Sequence, residues 1–270
     1  MTDLGTVRCR GCGVRNSAYS PECLTCGTLL PAPSPAAIAD PAAPAAAPAP
    51  DELPAAALSG ERIGGVARVF VATLGLVVVL TIADRCGAPE AIAETVASAV
   101  LAVVALACAF SARAEVLPLL ARFGGWRGLG AAVAGLAVLI AFGAVYFPAV
   151  RWLGMELMAV SGPFREAGWP LWSIYVLNSV VPAVFEELTF RGYVMARLAT
   201  LLTARETLLV QAALFALLHL GVAIYPSHFF IGLVLGTVRQ RTRSLYPGMI
   251  VHAGWNAVVV WCEIAGVVFP

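Results

Sequence analysis

Pro182-Ala183-Val184-Phe185-Glu186-Glu187-Leu188-Thr189-Phe190-Arg191 places two adjacent carboxylates and an arginine inside a region that is otherwise apolar and broken into runs of membrane-span length. Ionisable groups are costly in hydrocarbon unless they are paired or functional, so the stretch marks both a membrane fold and a site within it. Proline suits the first turn of a helix, and the reading is of a helix over about Ala183–Leu202 with Glu186 and Glu187 near its positive N-terminal end. Glu187 and Arg191 are four apart, acid first, on one face, which suits an ion pair. Glu186 points roughly 100° away from that pair. One carboxylate therefore reads as structural and the other as free for chemistry.

Composition supports the membrane reading: 60% of the 270 residues are hydrophobic and 12% are charged, about half the charged share of an ordinary soluble domain. The net charge of +1 comes with scattered arginines rather than a basic face, so nucleic acid is not an expected partner. The basic residues are arginines throughout, which removes serine–lysine dyads and Schiff-base chemistry.

Outward from the quoted stretch, apolar runs predict spans at Val66–Ala83, Ala91–Phe110 and Leu129–Phe147. They are followed by shorter units at Leu171–Val181, Ala183–Leu202, Thr207–Gly221, Ser227–Val238 and Gly248–Val268. The expected fold class is an all-α polytopic bundle of about seven or eight membrane helices. Arg62 and Arg68 around the start of the first span, and Arg113, Arg122 and Arg127 after the second, put both segments in the cytoplasm by the positive-inside rule. The Pro148–Pro170 segment, with Trp152 and Trp169, falls to the outer face. Eight crossings, however, would leave Arg239, Arg241 and Arg243 outside, against the same rule, so one short unit is expected not to cross fully. Gly232 and Gly236 form a small-xxx-small face suited to close helix packing.

At the N-terminus, Cys9-x2-Cys12 and Cys23-x2-Cys26 have the spacing of paired knuckles for one structural tetrahedral Zn²⁺, with two disulfides as the rival reading. The first residues are polar, and no secretory signal is expected there. The pattern resembles small zinc-ribbon modules over about residues 7–29. The expected organisation is a ribbon at 1–30, an Ala/Pro-rich linker at 31–60 and a membrane domain at 61–270. Cys86, Cys108 and Cys262 read as buried small hydrophobes.

The histidines follow residue 218. His219 closes Phe215-x3-His219, and His252 opens His252-x3-Asn256, which sets Asn256 on the same helix face. His228 reads as interfacial and Glu263 as a rim residue. Glu-Glu-x3-Arg, Phe-x3-His and His-x3-Asn, in this order, resemble the three motifs of the CPBP family of intramembrane endopeptidases, the group of type II CAAX prenyl proteases and bacteriocin-processing or immunity proteins. The resemblance covers about residues 129–268. It implies a helical bundle with a polar cavity and peptide-bond hydrolysis of a membrane-associated protein or peptide. Glu186 with His219 would activate the water, His252 with Asn256 would stabilise the oxyanion, and Glu187, Arg191 and Phe215 would support the site. No catalytic cofactor is required on this reading. Glu186, His219 and His252 also compose a two-His, one-Glu set that would suit catalytic zinc, although no H-E-x-x-H is present. A non-proteolytic scaffold or immunity protein and a proton-coupled transporter are the readings from other classes.

Overall fold

The computed structural model describes residues 6–17, 20–23, 25–31, 55–155, 159–219, 221 and 223–267, with side chains at all of these except 55–59 and 84. Helices α1 (Ala55–Arg85), α2 (Glu90–Ser111) and α4 (Gly125–Trp152) contain the three expected long spans, and α9 (Tyr246–Ala265) contains most of the last unit. Each is long and apolar enough to cross a membrane, and little of it is buried inside the protein. Val71, Val79 and Ile82 on α1, Val103, Leu106 and Phe110 on α2, and Val133 and Val145 on α4 point outward. In water such faces would be a defect; in lipid they cost nothing. Short helices α3 (Arg113–Leu120) and α5 (Gly162–Glu166) lie between the long ones.

α1 begins earlier than expected, at Ala55, inside the segment read as linker. No proline occurs between Pro54 and Pro89, so the alanines of 55–57 follow their helix preference. Most of the expected linker, 32–54, lies outside the described residues, as does 156–158 of the expected outer loop.

The main departure is at Pro182. It does not start a helix: residues 171–198 form one continuous rod, α6, of α-helix Leu171–Tyr175, π-helix Val176–Val180, α-helix Val181–Glu186, π-helix Glu187–Val194 and α-helix Met195–Leu198. Inside a helix a proline withholds the N–H due to the carbonyl four residues back and crowds it. Here that carbonyl belongs to Asn178, in the widened π turn, and Asn256 Nδ2 on α9 donates to it at 3.2 Å. Glu186 and Glu187 therefore sit in mid-helix, and the expected support from a helix N-terminus is absent.

Merging two expected units into α6 also removes the conflict with the placement of the arginines. With α7 (Ala204–Leu217) and α8 (Tyr225–Thr242), the described residues hold seven long helices. The α6–α7 and α8–α9 turns then fall at one end of the bundle together with α3. Leu245 N donates to Leu119 O at 3.3 Å and Ser244 Oγ to Arg122 O, while Arg197 Nη2 donates to Ser111 O at 3.3 Å. The arginines at 239–243 thus share an end with Arg113 and Arg122. At the opposite end, Glu263 accepts from Val160 N at 3.0 Å and Ser161 N at 2.8 Å, tying α9 to the approach to α5.

The N-terminal module is a hairpin of β1 (Thr6–Arg8) and β2 (Arg15–Ser17), antiparallel with Thr6 opposite Ser17. The Sγ atoms of Cys9, Cys12, Cys23 and Cys26 lie within 4.8 Å of one another and could hold a metal ion. Cys9–Cys26 at 3.3 Å and Cys12–Cys23 at 3.6 Å are near the roughly 3.8 Å edge of a tetrahedron with metal–sulfur bonds of about 2.3 Å. Gly11 N and Asn16 Nδ2 donate to Cys9 and Cys23 sulfur at 3.3 and 3.4 Å, as suits thiolates. The module sits on the arginine-rich end of the bundle. Ser17 N donates to Ala199 O, just past α6, at 3.0 Å, and Arg243 Nη2 pairs with Glu22 at 2.8 Å. Gly27 lies so close to that guanidinium that a Cβ would stand 1.7 Å from Arg243 Cζ. Of the remaining cysteines, Cys108 and Cys262 are buried as expected, but Cys86 is exposed, in the turn after α1.

α7 and α8 pack closely over Gly232 and Gly236. A Cβ on Gly232 would meet Ala212 Cα at 2.8 Å, and Gln211 Nε2 donates to Gly232 O at 2.8 Å. Gly232→Val therefore overpacks a backbone contact and should destabilise the bundle by about 1–3 kcal/mol, read as a shift in reversible detergent unfolding. Arg243→Glu should release the ribbon while leaving the bundle folded. Faster protease cleavage between residue 31 and α1, at unchanged unfolding of the membrane helices, would report that release.

Candidate active site

α6, α7, α8 and α9 each bring polar side chains to one place in the bundle. The π stretch of α6 buries all of Glu187 to Val194. A π turn displaces the helix from its regular face, a distortion that recurs at functional sites. Within it, Arg191 Nη1 lies 2.9 Å from Glu187 Oε1, with both side chains at 0% exposure. The same oxygen accepts from His252 Nδ1 on α9 at 3.2 Å. α9 comes this near because residue 248 is glycine; a Cβ there would stand 2.6 Å from Glu187 Oε2. Arg191 is held from behind as well, since Arg239 Nε on α8 donates to its carbonyl at 3.2 Å.

His252 lies between the two carboxylates. Its Nδ1 faces Glu187, so its Nε2 is the atom presented to Glu186, at 3.8 Å from Oε2. That separation is longer than a hydrogen bond. Glu186 Oε2 is buried and has no hydrogen-bond partner among the described residues. An unpaired buried carboxylate oxygen is uncommon enough to call for a functional reason.

Phe215, buried on α7, is the hub between these groups. Its ring lies 4.5 Å from Arg191 Cζ, 5.2 Å from the Phe190 ring and 6.0 Å from the His252 ring. His219, one turn on, packs on it at 4.8 Å and sets Nδ1 2.8 Å from the Phe215 carbonyl. A carbonyl only accepts, so Nδ1 carries the proton and Nε2 is left with a lone pair. Glu186, Glu187, Arg191, Phe215, His219 and His252 are thus brought into one cluster. Asn256 lies one turn of α9 beyond His252, and its Nδ2 is directed to the Asn178 carbonyl. The four cysteines are elsewhere, in the ribbon.

The reading of His228 as interfacial is corrected. Its ring lies 3.9 Å from that of His219 and 5.9 Å from that of Phe215. α8 starts at Tyr225, directly after the α7 end, and Tyr146 OH on α4 holds the connection by donating to Ala223 O at 2.6 Å. The first turn of α8 is thereby folded over His219. Pro226, at a helix start, was the sequence signal available for this. Asn178 and Arg239 are further polar contributors that the sequence alone did not single out.

A membrane-embedded bundle with apposed carboxylates and imidazoles on separate helices has the groups of a hydrolase site. Residues 168–258 match the family model of the type II CAAX prenyl endopeptidases, Rce1-like. The matched segment is about a third of the chain. It contains all three motifs. No curated protein and no solved structure matches the chain.

Because Glu187 and Arg191 compensate each other in a dry setting, removing one charge should cost more than removing both. Glu187→Gln should lose about 3–5 kcal/mol of stability. The double variant Glu187→Gln with Arg191→Met should recover much of that loss in the same unfolding assay.

Proposed function

We propose that the chain hydrolyses a peptide bond of a membrane-associated protein or peptide by a water activated at Glu186, without a catalytic metal. The observation that carries this reading is the buried, unpaired Glu186 Oε2 facing His252 Nε2 across 3.8 Å. Two groups at that distance meet through a third, which in the reaction is the water or the oxygen of the scissile carbonyl. Glu186 takes the proton of the attacking water, with His219 Nε2 as the second acceptor. His252, held by Glu187, turns Nε2 to the oxyanion. Asn256 adds a donor from the same helix face. Glu187, Arg191 and Phe215 keep these groups in register.

The cysteine cluster is assigned one structural Zn²⁺, for which its sulfur separations are suited. The arginine-rich end that carries the ribbon is assigned to the cytoplasm, with the chain crossing the membrane several times. The substrate class follows the family: a CAAX-type chain end or a leader-type peptide.

A catalytic zinc is the second reading, favoured by the tether of His219 Nδ1 to a carbonyl, a habit of metal-bound histidines. The test is cleavage of a farnesylated CAAX-terminal peptide by protein in lipid vesicles. Glu186→Gln keeps shape and hydrogen bonding but not proton acceptance, and it should lower turnover by about 10²–10⁴ with the fold intact. Undiminished cleavage by Glu186→Gln would overturn both hydrolytic readings.

A further inference from the structure

We propose that His228 is a positioning residue for His219, fixing the plane of its ring; this rests on the peptidase reading, in which His219 Nε2 shares the attacking water with Glu186. His219 stands past the end of α7, where a side chain is held less firmly than in mid-helix. Its hydrogen bond to the Phe215 carbonyl decides which nitrogen faces away, but one bond leaves the ring free to swing about it. Two ring contacts from different directions restrict that freedom. The Phe215 ring packs with centroids 4.8 Å apart and planes inclined by 57°, and the His228 ring packs nearer and less steeply inclined, at 3.9 Å and 32°.

His228 is itself anchored. Its Nδ1 is 3.2 Å from the Ile224 carbonyl and 3.3 Å from Ser227 Oγ, and Ser227 Oγ donates to the same carbonyl at 2.8 Å. Nδ1 of both histidines therefore faces a carbonyl four residues back, and each ring keeps its proton there. The two rings present the same nitrogen to their carbonyls. The support is local to α8 and its incoming turn, and it does not pass through the Glu187–Arg191 pair.

The test compares His228→Ala and His228→Phe with the parent, as full-length protein in phosphatidylcholine vesicles. The first readout is the rate at which diethyl pyrocarbonate modifies His219, mapped by peptide mass spectrometry. The second is the separation of kcat from KM on a farnesylated CAAX-terminal peptide. His228→Ala should speed modification of His219 several-fold and lower kcat roughly ten-fold at unchanged KM, as expected for loss of orientation. His228→Phe retains a flat ring without nitrogens, so it should protect His219 and recover most of kcat. Equal modification of His219 in all three proteins would overturn the proposal. So would a folded His228→Phe as slow as His228→Ala, which would assign the function to the His228 nitrogens. Glu186→Gln is run beside them: full cleavage by that variant sinks the peptidase reading alone, because the modification rates still decide the stack.

Discussion

The Glu187–Arg191 pair is the constraint on which the rest of the bundle depends. Both side chains are fully buried, and a buried ion pair is repaid for its lost hydration only when geometry and further hydrogen bonds are good. The neighbouring helices supply part of this: Glu187 Oε1 is hydrogen-bonded, whereas Glu187 Oε2 and Arg191 Nε, Nη1 and Nη2 have, beyond the pair itself, no hydrogen-bond partner among the described residues. α9 contributes His252 and the bare backbone at Gly248, α7 the face of Phe215, and α8 the Arg239 side chain on the Arg191 carbonyl. The surroundings of this one pair thus bring α6, α7, α8 and α9 to a common point. His252 is oriented as a by-product, with Nε2 turned to Glu186.

The distortions of α6 belong to the same arrangement. Pro182 and the two π stretches would weaken an isolated helix, since each removes or redirects backbone bonds. In this bundle the redirected carbonyls become attachment points. Asn256 takes Asn178 O and Arg239 takes Arg191 O. The far end of α6 is fastened in turn, as Ala199 O accepts from the ribbon at Ser17. A helix carrying carboxylates through an apolar interior is held at its middle and at its end.

The long spans were legible because a run of about 20 apolar residues in this composition has few other uses. The cluster of Glu187, Arg191 and His252 was foreshadowed by charge inside such runs. What misled was Pro182, whose usual place at a helix start hid a continuous α6. The arginines at 239–243 had already signalled the error, since they fitted no count of eight crossings. His228 was missed because its role depends on a turn between helices, and hydrophobic periodicity carries no record of which residue a turn folds onto which. Cys86 was misjudged for a similar reason: an apolar neighbourhood in sequence does not fix the side a turn residue faces. Asn178 could be recognised only with α9 in place.

Metal content separates the carboxylate mechanism from its metal-dependent rival most directly. Purified full-length protein, its Cys12→Ser variant and its His219→Ala variant would be assayed for zinc per chain by elemental mass spectrometry. The account predicts one zinc in the parent and in His219→Ala, and none in a Cys12→Ser protein that still cleaves its peptide. A second zinc that survives Cys12→Ser and disappears in His219→Ala would contradict it.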